Sequence, residues 1–248
     1  MRIRIIGGLL AAAMLLTGLY MANDFYTNPP FEADNSPAGI DRRLQWSGGE
    51  LFQTLRQGFP QDYAALVNQI SQALQSGQSD ADTAQITQAK MAEIRKSHAQ
   101  TLLAAPDAVL RAIVADSRDL HAEIRAEEGR ETCNRFAIQG PAALGPALPG
   151  FVEPLSRQGN AVLQAIVEAR GAALPASEPA SAADWDRARA WAKARGTEPA
   201  HLEALVALDQ THGDLCLGLV GLLEGLLTLE TAQGQRLRAS YVRDLAAN

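Results

Sequence analysis

The sequence predicts an all-α protein, with an N-terminal membrane segment followed by a single irregular multi-helix bundle. Three observations predict it. Aromatic residues are only 5% of the 248, so a sheet would lack much of the cross-strand packing that stabilises it. Ala, Leu and Gln, all strong helix formers, recur throughout the chain. Apolar residues repeat at intervals of three and four, and no alternating run of useful strand length occurs.

The chain opens with Arg2 and Arg4, and residues 5–22 then carry no charge. About 20 apolar residues cross a bilayer, and this run is just long enough. The first charges beyond it are acidic: Asp24, Glu32 and Asp34. A basic flank stays in the cytoplasm, so the remainder is expected outside an inner or plasma membrane, in the periplasm if the source is bacterial. The competing reading is a cleaved signal peptide, which would leave a secreted domain. Cutting after Ala22 puts Tyr20 where a small residue is wanted, which favours the anchor. Residues 23–40 contain Asn28-Pro29-Pro30 and Ser36-Pro37 and read as a flexible tether. Residues 41–248 are then the helical extracytoplasmic domain.

Within that domain Pro60 opens a helix whose apolar stripe is Tyr63, Leu66, Val67, Ile70 and Leu74. A second is expected over 80–104, with Met91, Ile94, His98, Thr101 and Leu102 on one face. Pro106-Asp107 starts a third, ending at Gly129, and the short connection predicts an antiparallel hairpin of the two. A shorter helix over 131–138 precedes an irregular stretch, 139–154, punctuated by Gly140-Pro141, Gly145-Pro146 and Pro149-Gly150. Helix resumes near Leu155. Ser181 with Asp184 marks a capped start after an Ala/Pro/Ser loop, and that helix stops at Gly196. Thr197-Glu198-Pro199 begins another, and the stretch from Gly213 onward reads as two helices or one bent one. The total expected is seven to nine.

The formal net charge is −6; Arg2 and Arg4 contribute +2, so the domain is near −8. No Lys/Arg cluster interrupts it, which disfavours a nucleic-acid partner. No Gly-x-Ser-x-Gly, Walker-type loop or dinucleotide fingerprint occurs. His98, His121, His201 and His212 include no pair at i, i+4 and no Glu-x-x-His, so the common helical metal frames are missing. No cofactor is expected.

The most unusual segment is 215–229, apolar on every side and therefore expected to be a central, buried helix. Gly218, Gly221 and Gly225 lie along one face of it. Three glycines cost a helix about 2–3 kcal/mol of propensity relative to Ala, which a neighbouring helix approaching closely would offset. The same face is a candidate ligand or partner groove. Glu224 interrupts the segment; it is a candidate buried acid in need of a partner, the competing reading being a carboxylate that pairs with an Arg or points outward through a gap. Asp116, Asp119, Glu123, Glu127 and Glu128 share a helix with Arg118, Arg125 and Arg130; paired carboxylates could do acid–base chemistry, but mixed charges at helical spacing usually mark a solvated face. The two cysteines, Cys133 and Cys216, are expected to form a disulfide in an exported protein, the competing reading being two separate buried thiols.

These readings favour a non-catalytic, membrane-tethered binding or scaffolding module with a protein partner. The alternatives are a cell-envelope hydrolase using helix-borne carboxylates and an apolar-ligand binding protein. An enzyme should gather titratable groups in one cleft, and a scaffold should expose an apolar patch.

Overall fold

A computed structural model describes residues 34–47, 49–140, 149–172, 174–211 and 213–247, and it is all-helical. The helices are α1 (Pro37–Ser47), α2 (Gly49–Gly58), α3 (Pro60–Gln75), α4 (Asp80–His98), α5 (Asp107–Glu127), α6 (Gly129–Gln139), α7 (Val152–Gly171), α8 (Ala182–Ala194), α9 (Pro199–Ala207), α10 (Leu215–Thr228) and α11 (Ala232–Ala247). Short 3-10 segments occupy Ala99–Ala104 and Pro149–Phe151. The expected membrane segment, 5–22, lies outside the described residues, as do His212 and most of the expected tether. Among the described residues no helix is long and apolar enough to cross a membrane.

Local chemistry explains most boundaries. Ser181 is the N-cap of α8: its hydroxyl accepts from the Asp184 amide, and the Asp184 carboxylate accepts from the Ser181 amide at 2.9 Å. Ser79 and Asp82 build the same reciprocal cap on α4. Pro199 occupies the first turn of α9, where a missing N–H costs nothing. Gly196 and Gly213 close their turns at φ +100° and +71°, conformations that an L side chain rarely adopts.

One contiguous core runs from Ile40 to Ala246, and α10 lies at its centre. It packs against α5, α6, α8, α9 and α11. Leu215, Leu219, Leu223 and Leu226 are fully buried there. The helix α11 covers α4, α5 and the Ala99–Ala104 segment, and α2 rests on α7.

Three expectations need correction. Helix begins at Pro37, inside the stretch read as tether, and Ile40 is fully buried. Its anchor is polar: the Asn35 carbonyl accepts from Ser71 Oγ at 2.6 Å, and Arg43 donates to the Asp34 carbonyl at 2.7 Å. The eleven helices among the described residues exceed the expected number chiefly because α1 and α2, 11 and 10 residues long, precede the first helix expected at Pro60. Finally, α4 and α5 do not form an antiparallel hairpin. The 3-10 segment and extended Pro106 redirect the chain, so α4 packs on α3 and α11 while α5 packs on α10 and α11.

Candidate functional site

The site that the structure singles out is built on α10 by the α8–α9 pair. The glycine face of α10 is where those two helices sit. A Cβ on Gly218 would collide with the carbonyl oxygen of His201 on α9, and one on Gly221 with Thr197 Oγ1 in the α8–α9 turn. At Gly225 it would meet Trp191 Cε3 at 3.0 Å. Each glycine therefore admits a different part of the α8–turn–α9 segment, and the propensity they cost is offset by close approach.

The fit is incomplete on one side. An open groove of about 440 Å³ runs between α10 and the α8–α9 turn. Leu217, Val220 and Gly221 form its floor; Trp191, Arg195, Thr197, Glu198, His201 and Glu224 form its walls. Leu217 is 39% exposed although its helix is otherwise the most apolar among the described residues. The Arg195 guanidinium lies 4.8 Å above the centre of the Trp191 ring, a cation–π contact that holds both side chains at the rim. His201 Nε2 is 3.6 Å from Glu198 Oε2.

Glu224 is not a buried acid. Its side chain is 47% exposed and accepts from Arg118 Nη1 at 2.8 Å. Arg118 also grips Asp119, and these two carboxylates hold its guanidinium above its ordinary pKa. An apolar helix still has a flank, and here α5 reaches across it with a cation. Of the other carboxylates on α5, Asp116 is pushed up by burial, and Glu123 and Glu127 are exposed. Only Glu224 of the suspected acids lines the groove. Among the described residues, no group of three or more His, Cys, Asp or Glu is placed to hold a metal ion.

The end of α10 nearest the groove is fixed from below. Cys133 on α6 and Cys216 on α10 are disulfide-bonded, with Cα atoms 5.7 Å apart and both residues fully buried. The neighbouring Asn134 accepts from the Cys216 amide at 3.0 Å and donates to the Gln210 carbonyl at 3.3 Å. Asp214, the N-cap of α10, accepts from the Leu217 amide at 3.1 Å and from Arg125 Nε at 2.7 Å. Sequence reasoning missed Asn134 and Asp214. The Asp one residue before an apolar run was a legible cap signal; Asn134 carried none.

His121 lies beneath this junction, fully enclosed between Ser117 and Phe136. Its Nδ1 is 2.7 Å from the Ser117 carbonyl and must therefore be the donor. Its ring centre is 4.9 Å from that of Phe136, and Nε2 is buried with no hydrogen-bond partner. Burial lowers its pKa to about 4, so the imidazole is neutral. It serves the interior and does not reach the groove.

Comparison of the chain with protein-family models, with curated proteins and with solved structures finds no match.

Proposed function

We propose that this protein is a membrane-tethered, extracytoplasmic binding module without catalytic activity, and that it docks a protein partner at the corner formed by α8, α9 and α10. The observation that carries the reading is Leu217. It lies exposed on the floor of a groove, one residue from a glycine that admits no Cβ. Val206 and Leu208, two more of the large apolar side chains that remain exposed, belong to the same helix pair. Two of the charged groups around the groove are already engaged: Glu224 with Arg118, and Arg195 with Trp191. A hydrolytic centre would instead need a carboxylate left free to be aimed at a substrate. Attachment to the membrane rests on the sequence of residues 2–22, with its basic start and uncharged run.

Two measurements on the full-length protein test the reading. A photo-crosslinker at position 217 should yield a protein adduct in intact membranes, and one at Leu174, more exposed but outside the groove, should not. A small apolar molecule captured at 217, or no adduct, removes the protein-partner reading. Protease added to spheroplasts should digest the domain; full protection removes the extracytoplasmic placement.

A further inference from the structure

A second depression, distinct from the groove, runs along the opposite side of the α8–α9 pair. It encloses about 500 Å³, and Ala190, Pro199, Leu202, Val206 and Ala207 give it an apolar bed. Val206 is 37% exposed in it. One lip is α8, with Arg189 and Lys193 one turn apart; the other is α9, with Glu203. Asp186 already holds Arg189 in an ion pair, which leaves Lys193 as the cation offered outward on that lip. Two successive helices joined by a tight turn leave a furrow between them whose natural complement is a third helix, lying at the usual interaxial distance of about 8–10 Å. No other helix of the described residues contributes to the lining.

We propose that this furrow docks one amphipathic helix of a partner protein. Its apolar stripe would lie on Val206, Ala190 and Ala207. It would carry carboxylates along the flank that meets Lys193 and a cation along the flank that meets Glu203. The opposite charges on the two lips set the direction: a helix laid in backwards would put like charges together on both sides. A fatty-acid or lipid ligand would use the cationic lip but leave Glu203 facing an apolar or anionic neighbour, so a polypeptide with both charges suits the furrow better. This inference rests on the binding-module reading above and deepens it.

The test places a photo-crosslinker at position 190 of the full-length protein in its native membranes, beside the probe at 217. The expected result is a protein adduct at 190 whose linked peptide has an apolar stripe at helical spacing with carboxylates on one flank. Lys193→Glu should lower the yield about tenfold or more through like-charge repulsion, and Lys193→Arg should keep it. Both variants should melt like the parent, since position 193 is exposed. Adducts at 217 but not at 190 overturn the furrow while leaving the binding module standing; adducts at neither remove both. A lipid, a second copy of this chain, or a peptide without that pattern at 190 also overturns the proposal, as does a yield indifferent to Lys193→Glu.

Discussion

Arg238 grips Asp107 with two parallel hydrogen bonds, Nε to Oδ1 at 2.8 Å and Nη2 to Oδ2 at 2.9 Å, while its Nη1 donates to the carbonyls of Leu226 and Leu229. One guanidinium, 1% exposed, thus ties the start of α5 to the C-terminal end of α10. Arg111 completes the arrangement, bonding Asp107 at 2.8 Å and the Leu227 carbonyl at 2.6 Å. Two cations at a helix C-terminus offset its negative pole. Removing Asp107 would leave Arg238 buried beside a second cation. Asp107→Ala should therefore destabilise the fold by about 3 kcal/mol, the lower end for a broken buried pair, because Asp107 itself is 32% exposed. Arg238→Met, which removes the charge and keeps the volume, should cost less. Urea melts of the two variants check the order.

The three glycines of α10 should differ in tolerance. Gly218→Ala meets backbone, the His201 carbonyl, and nothing there can rotate away. It should lose about 1–3 kcal/mol by overpacking, more than the roughly 1 kcal/mol of helix propensity gained. Gly225→Ala meets only the edge of the Trp191 ring at 3.0 Å and should be nearly neutral. Gly221→Leu should be the worst of the three, because a larger side chain is driven into Thr197. Thermal melts that rank them otherwise would refute close packing as the reason for the glycines.

His121 should make stability depend on pH. Its folded pKa of about 4 lies below the ordinary 6.5, so the unfolded chain binds the proton first. Stability is then full above pH 6.5 and falls as pH drops toward 4, by on the order of 3 kcal/mol in total. His98 is lowered in the same direction by burial. His121→Leu should flatten most of the fall between those limits, measured by denaturant midpoints at pH 7, 5.5 and 4.5. An unchanged slope would show that His121 is not the group responsible.

The disulfide closes a loop of 83 residues. In the chain-entropy view such a link stabilises by about 4–5 kcal/mol. Cys133→Ala with Cys216→Ala should lower the melting temperature substantially, and thiol titration of the denatured, unreduced parent should find no free thiol. Detection of two thiols would overturn the pairing.

The fold class was legible because helical periodicity and composition agree over most of the chain. The stripe Tyr63, Leu66, Val67 and Ile70 lies buried on α3 as its spacing requires. The close approach at Gly218 was legible because three glycines in one helix need a reason. Other features depend on tertiary placement. Ile40 sits between Pro37 and polar residues, and nothing local distinguishes it from tether; Ser71 and Gln75, reaching from α3, and Arg43, reaching back along α1, fix the residues before it. The segment Ala99–Ala104 is written in Ala, Gln, Thr and Leu, which contain no helix breaker, so its change to a tighter coil was hidden. For Glu224 the sequence left a buried acid and an Arg-paired, outward carboxylate both open, because the partner, Arg118, belongs to another helix. The groove beside Leu217 follows from how far α9 stands from α10, which no pattern along one strand of sequence encodes.

Helix α10 is fastened at both ends, by a covalent bond and Asn134 at its start and by two arginines at its finish. The α8–α9 pair, in contrast, rests along the glycine face and touches α11 only near Asp184 and Ala180. The molecule should therefore have two clocks. Amide hydrogens of Leu222 and Leu223 should exchange with solvent only when the whole chain unfolds, whereas those of α8 and α9 should exchange together and sooner, as the pair lifts from its seat. Each such excursion would briefly bare the smooth side of α10, so a partner that holds the pair down would be recognised by slowed exchange across both helices at once.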